Sequence, residues 1–133
     1  MTWPQRLLSV AFITTGVLHF VRPGAFEEIV PDYLPAHHEI VLLSGAAELA
    51  GGLGVAFGRT RAAAGVWLVA LLVLVFPANV NMAVHSERFA SIAPALLWAR
   101  LPLQGLLIWW AWHATRPRQD GLMSPGAATS AEP

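Results

Sequence analysis

Six polar side chains lie inside long apolar segments of this sequence and are the candidates for chemistry: His19, Glu48, Asn79, Asn81, Arg100 and Gln104. Glu48 and Arg100 are the only charged residues well inside those segments. A lone charge near the centre of a bilayer costs about 2.5–3.5 kcal/mol or more, so each needs a partner or a function. Because an arginine can donate two hydrogen bonds to a carboxylate, we expect these two residues to form an ion pair. The alternative is a neutral Glu48 with an Arg100 side chain that extends outwards by itself.

The composition restricts the class of protein. Charged residues make up 12% of the 133 residues and hydrophobic residues 56%, whereas soluble domains have about 25% charged residues. Such a chain cannot cover a water-facing surface with polar groups, so we expect it to lie in a lipid bilayer. The net charge of zero argues against a nucleic-acid partner, which binds basic faces. The absence of cysteine excludes a Cys-ligated metal, and we predict no metal site.

Four segments approach the length of about 20 apolar residues that a helix needs to span a bilayer. They are approximately residues 6–21, 37–57, 62–83 and 94–115. The sequence therefore predicts an all-α fold, an integral membrane four-helix bundle that occupies residues 1–116. Residues 117–133 are rich in Pro, Gly, Ala and Ser, and we expect them to form a disordered cytoplasmic tail.

The arginines determine the predicted orientation. If the four spans alternate, five of the eight basic residues fall on one side: Arg6, Arg59, Arg61, Arg116 and Arg118. The positive-inside rule counts such residues near the ends of spans and assigns their side to the cytoplasm. Both termini are therefore expected in the cytoplasm, and the connection over residues 22–36 is expected on the outer side.

The connection over residues 22–36 contains three prolines and several apolar residues. Pro23 suits the first turn of a short helix, and Pro31 would end it. Phe26 and Ile29 are spaced for one apolar face. We expect a short interfacial helix that lies as a lid over the outer mouth of the bundle. A plain connecting loop that touches lipid is the alternative.

The six polar residues all fall in the outer half of the predicted spans. A helix rises 1.5 Å per residue, which places Glu48 about 15 Å and Arg100 about 9 Å below the outer surface. Gln104 lies one turn deeper than Arg100 and level with Glu48. The cytoplasmic half of each span has almost no polar side chain. This asymmetry predicts an outer-facing polar pocket that binds a ligand or exchanges a proton.

Small residues and prolines surround these polar positions. The glycines expected to let a neighbouring helix approach are Gly45, Gly51, Gly52 and Gly54. The same glycine-rich face would also allow a homo-oligomer. Pro77 and Pro102 each free a carbonyl one turn earlier and are expected to kink the third and fourth spans beside the pocket. Ordinary shaping of the helices is the alternative for both prolines.

Several short motifs follow one another in order. They are Gly16-Val17-Leu18-His19-Phe20 with Pro23 and Phe26, Ile29-Val30-Pro31, Leu34-Pro35, Ser44-Gly45 with Glu48, Gly51-Gly52-Leu53-Gly54, Thr60-Arg61, Phe76-Pro77-Ala78-Asn79-Val80-Asn81-Met82 and Arg100-Leu101-Pro102-Leu103-Gln104. Together, over residues 7–113, they resemble the DoxX-like family of small bacterial four-helix membrane proteins. The resemblance implies a multi-pass protein of the bacterial inner membrane that is linked to a redox or oxidative-stress system.

These expectations combine into a functional hypothesis. We expect an accessory subunit of a membrane redox system, with a redox protein as its partner and an outer pocket for a quinone, a lipid or another amphiphile. The cofactor is otherwise unknown, and whether a reaction is catalysed is open. Two other classes stay open. One is a small transporter with the pocket as its vestibule, and the other is a structural assembly protein in which the Glu48–Arg100 pair only locks two helices together.

Overall fold

The computed structural model describes residues 1–117, and every regular element within them is helical. The five α-helices are α1 (Trp3–Val21), α2 (Pro23–Glu27), α3 (His37–Ala56), α4 (Arg61–Val84) and α5 (Pro94–Thr115). A 3₁₀ turn, Ser86–Phe89, lies between α4 and α5. The predicted all-α class is therefore confirmed. Of the tail predicted as disordered, 117–133, all but the first residue lies outside the described residues.

The four long helices begin and end close to the predicted segments. α1 starts earlier than predicted because Pro4 suits a first helical turn, and the Thr2 backbone N–H donates to Gln5 Oε1 at 2.9 Å. α4 begins directly after Thr60, so the turn between α3 and α4 is short. In that turn the Thr60 hydroxyl donates to the Gly54 carbonyl at 2.8 Å. This bond satisfies one of the carbonyls that the end of a helix leaves without an amide.

The long helices run antiparallel to their neighbours and pack as two pairs. α1 lies along α3 and α4 lies along α5, while α3 also contacts α4 and so joins the pairs. α1 meets α5 near the ends of the described chain, where Gln5 Nε2 donates to the Ala114 carbonyl at 2.8 Å. We call this the terminal end of the bundle. The opposite end, which carries α2 and the 3₁₀ turn, is the loop end.

Two apolar clusters lie inside the bundle. The larger occupies the terminal half and consists of Leu8, Phe12, Val55, Ala64, Leu68, Leu72 and Ala111. The smaller lies at the loop end between α4, the 3₁₀ turn and α5, and consists of Met82, Ala83, Phe89 and Leu97. The polar residues singled out in the sequence lie between the middle of the bundle and the loop end.

α1 and α3 approach each other closely because glycines line their contact. A Cβ atom added at Gly45 would lie 2.6 Å from His19 Cβ and 3.0 Å from the carbonyl oxygen of Gly16. Two turns further along α3, the Ser9 hydroxyl donates to the Gly52 carbonyl at 2.7 Å. Larger side chains at this contact would push the two helices apart.

A second glycine face of α3 contacts α4. A Cβ atom at Gly51 would overlap the Leu68 side chain, and one at Gly54 would lie 2.8 Å from Ala64 Cβ. The four glycines assigned to packing from the sequence therefore all lie at helix contacts. They divide between two neighbours, two glycines facing α1 and two facing α4.

Within the described residues, two helices are long and apolar enough to cross a membrane by length and composition, α3 and α4. Only 28% and 22% of their most apolar windows is buried within the protein. Most of this apolar surface therefore faces outwards, as Leu43 and Leu74 do with 70% and 76% of their surface exposed. Exposed apolar surface on this scale is typical of a chain that contacts lipid or another protein.

The internal prolines do not end their helices. Pro77 lies within α4 and Pro102 within α5, and both helices continue past them to Val84 and Thr115. A proline removes one backbone donor and leaves the carbonyl four residues earlier without its amide. In α4 that carbonyl belongs to Val73. The Gln104 side chain of α5 donates to the adjacent carbonyl, that of Leu72.

The glycine contact between α1 and α3 can be tested by a pair of substitutions to alanine. We expect Gly45→Ala to lower the free energy of unfolding by about 1–3 kcal/mol, because the new methyl group would meet backbone and His19. Gly105→Ala is the matched control, since a Cβ there meets no atom within 4 Å, and it should raise stability by up to about 1 kcal/mol. Thermal unfolding in detergent measures both. The packing argument is wrong if Gly45→Ala unfolds at or above the temperature of Gly105→Ala.

Candidate functional site

Glu48 lies halfway along α3 and binds two side chains of α1. The Thr15 hydroxyl donates to Glu48 Oε2, and His19 Nδ1 lies 3.8 Å from the same oxygen. Thr15 and His19 are four residues apart, so they share one face of α1 on successive turns. We call these three side chains the α1–α3 polar cluster. His19 and Glu48 were candidates from the sequence, whereas Thr15 was not.

The imidazole of His19 has a defined orientation. Its Nδ1 lies 2.8 Å from the Thr15 backbone carbonyl, and because a carbonyl only accepts, Nδ1 carries a hydrogen. In the neutral ring Nε2 therefore presents a lone pair. The ring stacks on Phe26 of α2 with centroids 3.8 Å apart and planes 22° apart. α2 thus covers one face of the imidazole and holds its plane.

Two acceptor atoms of the α1–α3 polar cluster have no partner among residues 1–117. They are Glu48 Oε1 and His19 Nε2, since each hydrogen bond of these side chains uses the other heteroatom. No buried side-chain nitrogen or oxygen in that part of the chain lacks a partner, so both atoms reach the surface. The side chains of His19 and Glu48 are 10% and 16% exposed. The cluster therefore offers a carboxylate oxygen and an imidazole nitrogen to a molecule from outside.

Arg100 does not pair with Glu48. Across residues 1–117 the only group within salt-bridge distance of the Glu48 carboxylate is His19. Arg100 is exposed on α5, and its Nη1 contacts Met82 Sδ at 3.6 Å. The helix pairing explains this correction, because Glu48 faces α1 whereas α5 packs on α4. The two charges therefore lie on different pairs of helices.

Two of the three amide candidates, Asn79 and Gln104, form a second group between α4 and α5, which we call the α4–α5 amide cluster. Asn79 Nδ2 donates to Gln104 Oε1, and Gln104 Nε2 donates to the Leu72 carbonyl in α4. Gln104 is only 3% exposed, and its amide is satisfied inside the protein. The third candidate, Asn81, does not join this cluster: its backbone carbonyl accepts from Nδ1 of the His85 ring at 3.0 Å. The structure therefore separates the expected single pocket into two polar clusters.

Ion pairs connect the segments at the loop end. Arg88 of the 3₁₀ turn donates to both carboxylate oxygens of Asp32, at 2.7 and 3.2 Å. Glu27 of α2 lies 2.6 Å from Nδ1 of His38 in α3. These contacts hold α2 against α3 and join the loop before α3 to the 3₁₀ turn. No spacing in the sequence predicts either pair.

Two surface clefts of about 240 Å³ each lie away from both polar clusters. One is an apolar groove between α3 and α4, where Trp67 Nε1 donates to the Ala47 carbonyl at 2.9 Å. The other lies at the terminal end between α4 and the end of α5. A ligand of the α1–α3 polar cluster would therefore meet its acceptor atoms at the surface rather than inside either cleft.

The fold and this site define an all-helical protein with two apolar helices that could cross a membrane, and with a carboxylate–imidazole cluster that joins one of them, α3, to α1. The chain belongs to the DUF8561 family, a domain of unknown function, whose model matches residues 8–115. No curated protein and no solved structure matches the chain. The matched range includes both polar clusters and ends with α5. The resemblance to DoxX-like proteins stays a prediction from motifs.

The Asp32–Arg88 pair predicts a component of stability that acid removes. Hydrogen bonds from Arg88, and then its charge, hold the pKa of Asp32 below its ordinary value of 3.8. Because the folded-state pKa is the lower one, the contribution is fully present above about pH 4 and is lost as the pH falls through the lowered pKa. Asp32→Asn should therefore unfold at a lower temperature than wild type near neutral pH, and the difference should vanish on acidification.

Thermal unfolding of both proteins in detergent, from about pH 7 to about pH 2, measures this difference. Glu28→Gln is the control, because Glu28 is exposed and forms no ion pair within residues 1–117. A difference between wild type and Asp32→Asn that does not change with pH would contradict the assignment.

Proposed function

We propose that the protein is a four-span membrane protein in which α1, α3, α4 and α5 cross the bilayer and both termini face the cytoplasm. The support is that α3 and α4 have the length and apolarity of spans, and that α1 and α5 lie along them. α1 and α5 also expose large apolar side chains, such as Val10 at 60% and Leu106 at 57%. The resemblance to DoxX-like proteins suggests the inner membrane of a bacterium as the location.

This topology predicts opposite labelling of two introduced cysteines. The chain contains no cysteine, so single substitutions report their own positions. Gly24→Cys, at the loop end, should react with a membrane-impermeant maleimide in intact cells, and Gly58→Cys, in the turn between α3 and α4, should react only after lysis. A Cβ atom added at either glycine meets no atom within 4 Å. Labelling of both positions, or of Gly58→Cys alone, in intact cells would overturn the proposed orientation.

The proposed role is that of an accessory subunit in a membrane redox or oxidative-stress system, which binds the headgroup of a quinone or another amphiphile at the α1–α3 polar cluster. The observation that carries this proposal is the pair of acceptor atoms, Glu48 Oε1 and His19 Nε2, that have no partner in the described chain and reach the surface. An ionisable group within a membrane span is costly and is a functional candidate by default. In the proposed orientation the cluster lies in the outer half of the bilayer.

The redox assignment rests on the resemblance to DoxX-like proteins. The chain itself has no cysteine, so a thiol reaction in such a system would belong to a partner protein. Proton exchange at Glu48, with His19 beside it, is the contribution that this chain's own residues can make. The exposed apolar surfaces of α1 and α5 are available to lipid, to a redox partner or to a second copy.

A structural role is the second candidate, and one observation favours it. Thr15 and His19 both contact the same carboxylate oxygen, so the cluster links α1 to α3 whether or not a ligand binds. In this role the polar contacts would complete the glycine packing, and loss of the carboxylate would affect stability alone. The two candidate roles therefore predict different effects of Glu48→Gln, which replaces the carboxylate with a neutral amide of the same shape. The binding role predicts loss of the ligand, and the structural role predicts loss of stability alone.

Retention of a small molecule by the purified protein tests the binding role. We expect native mass spectrometry of wild type in mild detergent to show a bound amphiphile, and Glu48→Gln to lose most of it, because the amide lacks the carboxylate charge. Glu28→Gln is the matched control, since Glu28 is exposed and has no ion-pair partner in residues 1–117. Equal ligand retention by wild type and Glu48→Gln, with reduced thermal stability of the variant, would favour the structural role.

A further inference from the structure

The two free atoms of the α1–α3 polar cluster are both hydrogen-bond acceptors. Glu48 Oε1 is a carboxylate oxygen, and the Thr15 hydroxyl already donates to Oε2. His19 Nδ1 must carry the ring hydrogen, because it faces the Thr15 carbonyl at 2.8 Å, so Nε2 of the neutral ring accepts. The Thr15 hydroxyl, the one hydroxyl of the cluster, already donates to Glu48. A ligand at these atoms must therefore supply the hydrogens.

The charges around the cluster favour the same kind of ligand. The Glu48 carboxylate has no arginine within 4 Å in residues 1–117, because Arg100 lies on α5. At the loop end the His38 ring contacts the Glu27 carboxylate, so this histidine is already paired with another acidic residue. Within residues 1–117 no arginine therefore stands within 4 Å of the carboxylate to receive a carbonyl or an anionic headgroup. Charge-assisted hydrogen bonds to a carboxylate are about twice as strong as neutral ones.

The surroundings of the cluster are apolar. Phe26 covers one face of the imidazole, and Leu18, three residues after Thr15 on α1, is 40% exposed. An amphiphile suits this arrangement, because its headgroup can meet the acceptors while its chain lies along the apolar helix surface. The headgroup chemistry is then the property that selects among amphiphiles.

We infer that the α1–α3 polar cluster selects amphiphiles whose headgroup donates hydrogen bonds, and discriminates against headgroups that only accept them. A hydroquinone hydroxyl and a primary ammonium group share this chemistry. A quinone, whose carbonyl oxygens only accept, does not fit the two free acceptors. This inference rests on the proposed binding function and specifies the ligand class of the same site.

Two matched ligand pairs test the inference on the detergent-purified full-length protein. The first is a decyl hydroquinone against its decyl quinone, kept anaerobic, with the same ring and chain in both. The second is hexylammonium against hexyltrimethylammonium, two cations that differ in whether the nitrogen carries hydrogens. Isothermal titration measures the Kd of each. We expect the donor of a pair to bind about tenfold to a hundredfold more tightly, the range expected for one hydrogen bond to a charged group.

Two variants test whether the preference for donor ligands arises at Glu48. Glu48→Gln should lose the preference for donors, whereas Glu28→Gln should keep it. The comparison of ligands on wild type is decisive by itself, so the test stands even where Glu48→Gln fails to fold.

The outcomes separate this inference from the proposed function. A donor preference of wild-type protein in either pair supports the inference, and the pair that shows it identifies the hydroquinone or the amine as the source. A preference that folded Glu48→Gln keeps overturns the inference. Equal or tighter binding of the quinone, weakened by Glu48→Gln, overturns the inference and leaves the binding role in place. Binding of none of the four ligands by folded wild-type protein overturns the donor-selective site. Absence of any retained amphiphile in native mass spectrometry then overturns the binding role itself.

Discussion

The close approach of α1 and α3 is the constraint on which the candidate site depends. Gly16 and Gly45 leave no room for a side chain between the two backbones. Thr15 and His19 therefore reach the Glu48 carboxylate directly from α1. A carboxylate among apolar helices is costly unless its neighbours supply hydrogen bonds. Here Thr15, which donates the hydrogen bond, belongs to the helix that the glycines admit, so packing and polar satisfaction arise from one contact.

The long helices and the polar positions could be predicted from the sequence because both are local properties. Apolar runs, prolines in first turns and polar breaks depend on neighbouring residues only. The depth of a residue along a span also follows from counting. Which side chains meet depends on the direction that each helix faces, and counting does not provide it. Glu48 and Arg100 were therefore placed at compatible depths, yet Glu48 faces α1 and Arg100 lies on the separate α4–α5 pair.

Different kinds of contact were missed for different reasons. Thr15 lies four residues before His19, so the two share a helix face, and this spacing was a readable sign that they act together. Asp32 and Arg88 lie 56 residues apart in two loops, where no periodicity relates one position to another. Their pairing is a consequence of the bundle, since the antiparallel helices bring both loops to the same end. Such contacts follow from topology and require the structure.

The separation of Glu48 from Arg100 changes the chemistry available to this chain. In a buried ion pair the guanidinium would have bonded both carboxylate oxygens and left neither of them for another molecule. In the proposed orientation Arg100 lies about 9 Å below the outer surface, a depth from which an arginine side chain extends to the headgroup region and needs no carboxylate. Glu48 then keeps an oxygen that no residue of the described chain satisfies. A purely structural contact between α1 and α3 would be stronger if Glu48 Oε1 were also hydrogen-bonded. The accessibility of this oxygen favours a binding site in which another molecule donates to it.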